Sequence, residues 1–328
     1  MDFRGEAVYS SDDGGKPRPN KNLQKNQGTS LMRNIITRRK LLAAAAASAA
    51  FAPLVRAAEQ AAAAEPIRQG KLKQSVMASV WGQNSPFSQE ERCEILRTLG
   101  FYAVDLPQPA QLPMLADYGL APAIMTGTGT SFQDGLIRRE IHDQIEEATI
   151  AGIDMCVAAG CPNLIALPGE RRGMSREEGK ENAIEILKRV APYAEEKGIN
   201  LCMEITNSKV ESDQRTDQVF DDIYWGFDVC RGTGSSRVKV VYDIYHVQIM
   251  NGDIVRTLRD NLDLCCHIHV AGVPTRCEID NTQEVNYRFV AQQIADMGYE
   301  GYVAHEWRPS PGRNPIVSLA TCFEILVV

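Results

Sequence analysis

The chain has 328 residues, 44% of them hydrophobic and 23% charged, an ordinary globular composition that suits one large domain or two small ones. Its formal net charge of −7 is uneven: residues 1–57 hold ten Lys and Arg against four Asp and Glu, a net charge of +6 that leaves −13 for the rest. An acidic body argues against a nucleic-acid partner, because such binding depends on Lys and Arg that neutralise phosphates. Nine cysteines, an odd number without Cys-x-x-Cys spacing, argue against a disulfide framework.

The N-terminal part is predicted to be an export signal behind a disordered extension. Residues 1–31 are polar and lack periodicity, so we expect disorder there. Residues 32–58 combine the paired Arg38 and Arg39, a short alanine-rich apolar run and a small-residue cleavage site. These features are typical of a twin-arginine signal peptide and predict a periplasmic or extracellular protein. An alanine-rich amphipathic helix, the alternative, does not explain the paired arginines.

The apolar run of the signal is too short for a stable membrane anchor. Residues 59–69 are interpreted as a linker, and residues 70–328 as a single catalytic domain.

Within that domain, apolar segments alternate with helical ones. At five places a helix-like segment ends in glycine and an apolar segment follows at once, as in Lys197-Gly198-Ile199. Clear helical periodicity covers Glu140–Ala159 and Glu177–Lys197. Eight strands are predicted, near Ser75–Trp81, Tyr102–Leu106, Leu120–Met125, Asn163–Leu167, Ile199–Glu204, Val238–Asp243, Leu264–Val270 and Tyr302–Glu306.

Eight such units predict an α/β protein with a (β/α)8 TIM-barrel fold. A doubly wound open sheet is the alternative. It is disfavoured because Trp81-Gly-Gln-Asn-Ser-Pro, and not a glycine-rich phosphate loop, follows the first strand. The segment Thr126-Gly-Thr-Gly-Thr after the third strand is weak support for a phosphate site and is more simply a loop.

The last four predicted strands each end in a residue that binds metals, namely Glu204, Asp243, His269 and Glu306. In a parallel barrel the carboxyl ends of strands meet at one mouth, where the chemistry of such folds is found. This mostly oxygen set predicts one divalent cation, Mn²⁺ or Mg²⁺, with Co²⁺ and Zn²⁺ as alternatives. For Asp243 the other reading is a cap on the next helix, with His246 packed as an aromatic ring.

The two glutamates would flank such a cation from opposite sides. A cation that holds a sugar hydroxyl and its neighbouring carbonyl acidifies the C–H between them, and a carboxylate can then take and return the proton. Arg276, on the following loop, is predicted to hold a substrate oxygen, with a surface ion pair to Glu278 or Asp280 as the alternative.

Two further histidines are assigned supporting positions. His267 faces the same way as His269, one layer deeper, and is predicted to support it or to lie in the core. His305 should face away from Glu306, against a helix.

Several segments carry a resemblance to a known family: MEITNSK (203–209), VVYDIYHVQIMNGDI (240–254), HIHVAGVPTRCEIDNTQEVNY (267–287) and GYVAHEWRP (301–309). They resemble the xylose-isomerase-like barrel superfamily, and most of all its hydroxypyruvate-isomerase-type branch. The resemblance implies one divalent metal held by Glu204, Asp243, His269 and Glu306. It also implies acid–base catalysis by the two glutamates and substrate contacts from His246 and Arg276.

The function implied is a metal-dependent isomerase of a sugar or keto acid, an intramolecular oxidoreductase of the aldose–ketose type that works through an enediolate. One position departs from the pattern: hydroxypyruvate isomerases carry Gln where this chain has His269, and the sugar epimerases carry His. An epimerase, a 3-keto-sugar lyase or a dehydratase are therefore alternatives, and a non-catalytic carbohydrate-binding protein is a more distant one. A DNA-repair endonuclease is disfavoured, because the third and fourth strands end without His. A monomer and a homo-oligomer both fit the sequence.

Overall fold

A computed structural model describes residues 68–82, 85–210 and 217–328. The predicted extension, the predicted export signal and most of the predicted linker lie outside these residues. None of the helices in the described part of the chain has the length and apolar character needed to cross a bilayer.

The described residues contain eight strands that pair in parallel in the order β3-β2-β1-β8-β7-β6-β5-β4. Strand β8 pairs with both β1 and β7, so the first and last strands of the chain are neighbours. The strands are β1 (Lys73–Val76), β2 (Ala103–Asp105), β3 (Ala121–Ile124), β4 (Asn163–Ala166), β5 (Asn200–Glu204), β6 (Val238–Asp243), β7 (Cys265–Val270) and β8 (Tyr302–His305). The predicted (β/α)8 barrel is confirmed as a nearly closed ring of eight parallel strands.

Helices connect the strands on the outside of the ring. In the described residues they are α1 (Gln89–Leu99), α2 (Leu112–Asp117), α3 (His142–Ala159), α4 (Arg176–Lys197), α5 (Ile223–Thr233), α6 (Ile244–Met250), α7 (Ile254–Asp260), α8 (Tyr287–Asp296) and α9 (Pro315–Ile325). Helices α1, α3 and α4 end at Gly100, Gly160 and Gly198, each in the left-handed conformation. The glycine signals of the sequence therefore mark real helix ends.

The first strand is shorter than predicted. The strand predicted for Ser75–Trp81 runs only from Lys73 to Val76, and Ala78–Trp81 forms a 3₁₀ turn. Val80 and Trp81 are nevertheless buried, at 0% and 5% exposure. An apolar run that packs onto the barrel after its strand has ended cannot be told from a longer strand by hydrophobicity alone.

The gap between β3 and β4 closes through one isolated bridge, Met125 to Leu164. Threonines of the predicted loop 126–130 reinforce this seam: the Thr128 hydroxyl donates to the Ile165 carbonyl oxygen (3.0 Å), and the Leu167 amide donates to the Thr130 hydroxyl (2.8 Å). The glycine between them, Gly129, has φ +70 and lets the loop lie against α3, where an added Cβ would meet Ala148 at 3.1 Å. The Thr-Gly-Thr-Gly-Thr segment is therefore a loop whose hydrogen bonds help to close the barrel between β3 and β4.

A buried apolar cluster fills the ring below its mouth. It contains one residue from each of five strands: Ile124, Ile165, Cys202, Val241 and Cys266. Because side chains alternate along a strand, Cys202 and Val241 face the same way as the residues two positions later, Glu204 and Asp243. Apolar side chains therefore lie below Glu204 and Asp243.

Candidate metal and active site

Four side chains from adjacent strands converge at the mouth of the barrel. Glu204, Asp243, His269 and Glu306 each offer a ligand atom, and these atoms all lie within 4.8 Å of one another. We call these four residues the donor cluster. Their placement depends on strand register: Asp243 pairs with His269 across β6 and β7, which a one-residue irregularity at Cys266 makes possible. Such bulges re-aim side chains near functional sites.

His269 lies at the centre of the donor cluster and is fully buried. Its Nδ1 atom is 3.1 Å from Glu204 Oε1 and 3.1 Å from Glu306 Oε2. Burial favours the neutral ring, but the charge of Glu306 and the hydrogen bonds to carboxylates raise the pKa of His269 well above its ordinary value. Both glutamates thus contact the same nitrogen of the ring.

Asp243 caps a helix and also belongs to the donor cluster. Its Oδ1 atom accepts a hydrogen bond from the Tyr245 amide (2.8 Å) and so caps α6. Its Oδ2 atom makes no hydrogen bond to the described residues and lies 3.4 Å from His246 Nε2. One oxygen therefore starts a helix while the other remains directed at the donor cluster.

His246 has a defined orientation beside Asp243. The Val210 amide donates to Asn207 Oδ1 (2.9 Å), which fixes the Asn207 amide group. Its Nδ2 atom then donates to His246 Nδ1 (2.8 Å), so Nδ1 is an acceptor and a neutral ring carries its proton on Nε2. His246 therefore presents an N–H toward the donor cluster, although it is fully buried.

Arg276 belongs to the site and not to the surface. It is 6% exposed, and its guanidinium donates to Glu306 Oε1 (2.7 Å) and lies 3.8 Å from Asp243 Oδ2. The alternative ion pairs with Glu278 or Asp280 are wrong, because those acids bond to serines and to Arg313. Burial would raise the pKa of Glu306, but Arg276 and His269 hold it well below its ordinary value.

Sequence reasoning missed Asp105, which ends β2 inside the ring. Its Oδ2 atom is 2.6 Å from His267 Nε2 and 3.2 Å from His269 Nε2. His267 thus supports His269 through this carboxylate, in the deeper layer predicted for it. The available signal was an acid at the end of a buried strand, the same pattern that identified Asp243. His305, as predicted, faces the other way, between Gln74 and Trp307.

The donor cluster suits a divalent cation. Its four members supply three carboxylates and one imidazole nitrogen, a mostly oxygen set of the kind that Mn²⁺ and Mg²⁺ prefer. Burial and the nearby charge of Glu306 raise the pKa of Asp243 well above its ordinary value. Positive charge close to Asp243 would favour its ionised form.

Known proteins resemble this chain in sequence. A 2-oxo-tetronate isomerase from Cupriavidus necator is 36% identical over 86 residues, which cover 26% of this chain and 33% of that protein. A second from Haemophilus influenzae is 29% identical over 159 residues, 48% of this chain and 59% of that protein. A Mus musculus protein with the provisional name hydroxypyruvate isomerase is 27% identical over 157 residues, 46% of this chain and 56% of that protein. The matched regions thus span a third to three fifths of these relatives.

Solved structures share the fold. An AP endonuclease, family 2, from Brucella melitensis aligns with a TM-score of 0.67 at 21% identity, over 76% of this chain and 98% of that one. The apo form of 3-keto-D-glucoside 4-epimerase from E. coli aligns with a TM-score of 0.62 at 16% identity, over 78% of this chain and 98% of that one.

A family model described as xylose isomerase-like TIM barrel matches residues 94–321, well over half of the chain. That span covers all four members of the donor cluster and Asp105. Together with the relatives named isomerases, it confirms the resemblance to the hydroxypyruvate-isomerase-type branch. The chain belongs to the xylose isomerase-like TIM barrel family.

Proposed function

We propose that this protein is a divalent-metal-dependent isomerase of a sugar or keto acid, an intramolecular oxidoreductase of the aldose–ketose type. One observation carries the proposal: Glu204, at the end of β5, and Glu306, directly after β8, each lie 3.1 Å from the same nitrogen of His269. Binding alone does not need two glutamates gathered at one imidazole nitrogen. The relatives named 2-oxo-tetronate isomerase support a small keto-acid substrate.

The donor cluster would hold one cation, Mn²⁺ or Mg²⁺, with Co²⁺ or Zn²⁺ as alternatives. When bound, the cation would polarise the substrate carbonyl and make the neighbouring C–H more acidic. Its ligands would be Glu204, Asp243, His269 and Glu306.

The protein's own groups would move the proton. One glutamate removes the proton from the carbon next to the carbonyl, and the electron pair of that C–H bond forms the enediolate double bond. The π electrons of the carbonyl move onto its oxygen, which takes up a proton. Return of a proton to the former carbonyl carbon, with loss of the proton from the neighbouring hydroxyl whose oxygen becomes the new carbonyl oxygen, then completes the isomerisation. Arg276 keeps Glu306 ionised and oriented through its bond to Oε1, and Oε2, which contacts His269 Nδ1, would be the oxygen that transfers the proton. His246 and Arg276 would bind substrate oxygens.

Solvent deuterium tests this proton transfer. Incubation with active substrate in D₂O should place deuterium on the carbon next to the carbonyl, because a protonated carboxyl exchanges with water before it returns its proton. Product without deuterium from an active enzyme would instead indicate direct hydride transfer and would overturn the role of the glutamates.

An epimerase or a 3-keto-sugar lyase or dehydratase is the second candidate, and His269 favours it. This histidine stands where the hydroxypyruvate isomerases have Gln, and a structure with the same fold is a 4-epimerase. All these reactions begin with the same proton removal. A panel of ketoses, keto acids and 3-keto sugars distinguishes them by product: a moved carbonyl, an inverted carbon or an eliminated group. No turnover across the whole panel would favour a carbohydrate-binding protein.

We further propose export by the twin-arginine pathway to the periplasm or beyond. The Arg38 and Arg39 pair lies outside the described residues, so the support comes from the sequence alone. The double substitution Arg38→Lys and Arg39→Lys keeps the charge and should leave the protein in the cytoplasm. Unchanged export of this variant would show that a different signal operates.

A further inference from the structure

Asp105 links β2 to two histidines of β7 that are two residues apart. All three side chains are buried, at 2% exposure for Asp105 and 0% for His267 and His269. A single oxygen, Asp105 Oδ2, lies 2.6 Å from His267 Nε2 and 3.2 Å from His269 Nε2. This contact joins residues 164 positions apart in the chain, so it depends on closure of the barrel.

These three residues also meet the geometric condition for a second cation site. The distances favour hydrogen bonds instead. Two ligands at about 2.1 Å from one cation stand roughly 3 Å or more apart, whereas Asp105 Oδ2 and His267 Nε2 are 2.6 Å apart. That separation is the length of a charge-assisted hydrogen bond.

The two nitrogens of His269 therefore face different surroundings. Nε2 faces a carboxylate that is shared with His267, and Nδ1 faces Glu204 and Glu306. An ionised carboxylate only accepts hydrogen bonds, so Asp105 favours a proton on Nε2. Asp105 Oδ2 lies within hydrogen-bond distance of both Nε2 atoms, the arrangement of one acceptor shared by two donors.

We propose that Asp105, itself held by His267, is a positioning residue that keeps a proton on His269 Nε2 and leaves Nδ1 as the nitrogen that binds a cation. The inference rests on the proposed function for its effect on cation affinity. The location of the proton is a separate matter, since it can be measured without any cation. Carboxylates that orient ligand histidines in this way change metal affinity by about 10- to 100-fold when they are removed.

The first experiment reads the proton directly. The full-length protein has five histidines, so ¹⁵N-histidine labelling gives a small set of ring signals, and His269→Gln identifies the one of interest. We expect a protonated, hydrogen-bonded Nε2 on His269 in the metal-free protein and again with saturating Mg²⁺, and an unprotonated Nδ1 only with Mg²⁺. An unprotonated Nε2 in the wild-type protein overturns the proposal, even if every variant fails to fold.

The second experiment measures Mn²⁺ affinity and stoichiometry by titration. Asp105→Asn keeps the size but removes the charge, and should shift the Nε2 proton signal and raise the Kd for Mn²⁺ about 10- to 100-fold. His267→Leu should weaken binding less, and His267→Gln, which restores a donor, should recover it. The matched control is Gln74→Met, which removes the partner of the outward-facing His305 and should leave the Kd unchanged.

The outcomes separate the two proposals. A wild-type protein that shows the Nε2 proton but binds no Mn²⁺ or Mg²⁺ supports the positioning role and contradicts the proposed metal-dependent function. A folded Asp105→Asn variant with unchanged Kd and unchanged Nε2 signal overturns the positioning role alone. Two bound Mn²⁺ per chain, with loss of one in His267→Leu, would identify a second cation site and also overturn it.

Discussion

Two groups of acids lie near the mouth of this barrel, and their surroundings differ. In the donor cluster, three carboxylates gather around His269. In the loop cluster, which we define as Glu278, Asp280, Ser310, Arg313 and Ser318, each carboxylate faces donors. Glu278 is 1% exposed and accepts hydrogen bonds from the Ser310 amide and from both serine hydroxyls. Asp280 pairs with Arg313 and accepts from Thr282.

The pKa values show what this difference means. In the loop cluster burial opposes ionisation, yet the hydrogen bonds lower the pKa of both Glu278 and Asp280. In the donor cluster burial and Glu306 raise the pKa of Asp243, whereas Arg276 and His269 lower the pKa of Glu306. A buried carboxylate that accepts hydrogen bonds stabilises the fold, whereas a buried carboxylate beside other carboxylates favours a positive charge nearby. The clusters therefore differ at Asp243, whose Oδ2 atom has no hydrogen-bond donor among the described residues, whereas both acids of the loop cluster accept hydrogen bonds.

The largest expected effect concerns the glutamates of the donor cluster. Glu204→Gln and Glu306→Gln keep the size and an oxygen but remove the base, so each should lower kcat by about 10²- to 10⁴-fold. The double variant should lose little more, because one reaction coordinate needs both groups. Steady-state kinetics with Glu278→Gln as the matched control tests this; comparable loss in the control would remove the distinction between the clusters.

Next in size is the effect on cation binding. The purified protein should bind about one divalent ion per chain, and Asp243→Asn should weaken Mn²⁺ binding by more than the roughly 100-fold expected for an indirect contact. Asp280→Asn, the same substitution in the loop cluster, should bind Mn²⁺ normally. Elemental analysis after Mn²⁺ loading and dialysis decides this. A protein that retains no metal would contradict the assignment of the donor cluster.

Substitution of the arginine beside each cluster compares their effects on the rate and its pH dependence. Arg276→Ala should lower kcat/KM by about 10- to 100-fold, the value of a hydrogen bond to a charged group. Since Arg276 holds the pKa of Glu306 down, its loss raises that pKa and should move the acidic limb of the pH–rate profile to higher pH. Arg313→Ala should leave both the rate and the limb in place. If the acidic limb of the pH–rate profile stays in place in Arg276→Ala, then the ionisation of Glu306 does not determine that limb.

The smallest effect belongs to the loop cluster. Ser318→Ala removes a 2.7 Å hydrogen bond to Glu278 and should lower the free energy of unfolding by about 1–3 kcal/mol in denaturant titration. The folded pKa of Glu278 is depressed, so its stabilisation is present above the ordinary carboxyl pKa and is lost as pH falls through the lowered value. The Ser318→Ala variant should lose this stabilisation at a higher pH than the wild-type protein, because Glu278 has one hydrogen bond fewer. Thr321→Ala, one turn later on α9, should change stability by less than about 0.5 kcal/mol.

Much of the barrel could be predicted from sequence, because its signals are local. Strand β6 was predicted at its observed bounds, Val238–Asp243, since three valines and a tyrosine precede the acid that ends it. The first strand was overextended to Trp81 because burial continues where strand pairing has stopped. The irregularity at Cys266 had no signal, since it concerns how one strand matches another.

The donor cluster could likewise be predicted from strand ends, whereas its support could not. Arg276 had two readings because its partner, Glu306, is 30 residues away while Glu278 and Asp280 are close in sequence. Asp105 was overlooked because its histidines are more than 160 residues distant. An acidic residue in a short strand does not indicate in the sequence which side chains of distant strands it will contact.

The seam between β3 and β4 has a consequence for how the barrel opens. At this seam the Met125 amide donates to the Asn163 carbonyl oxygen, and the Ile165 amide donates to the Met125 carbonyl oxygen. The side chains of Asn163 and Thr128 add one hydrogen bond each. Every other neighbouring pair of strands shares a ladder in the described residues. Amide hydrogens at the seam should therefore exchange with solvent through small local openings, and those of β5 to β8 only through larger ones. Local opening is thus expected between β3 and β4, while the strands that carry the donor cluster remain paired.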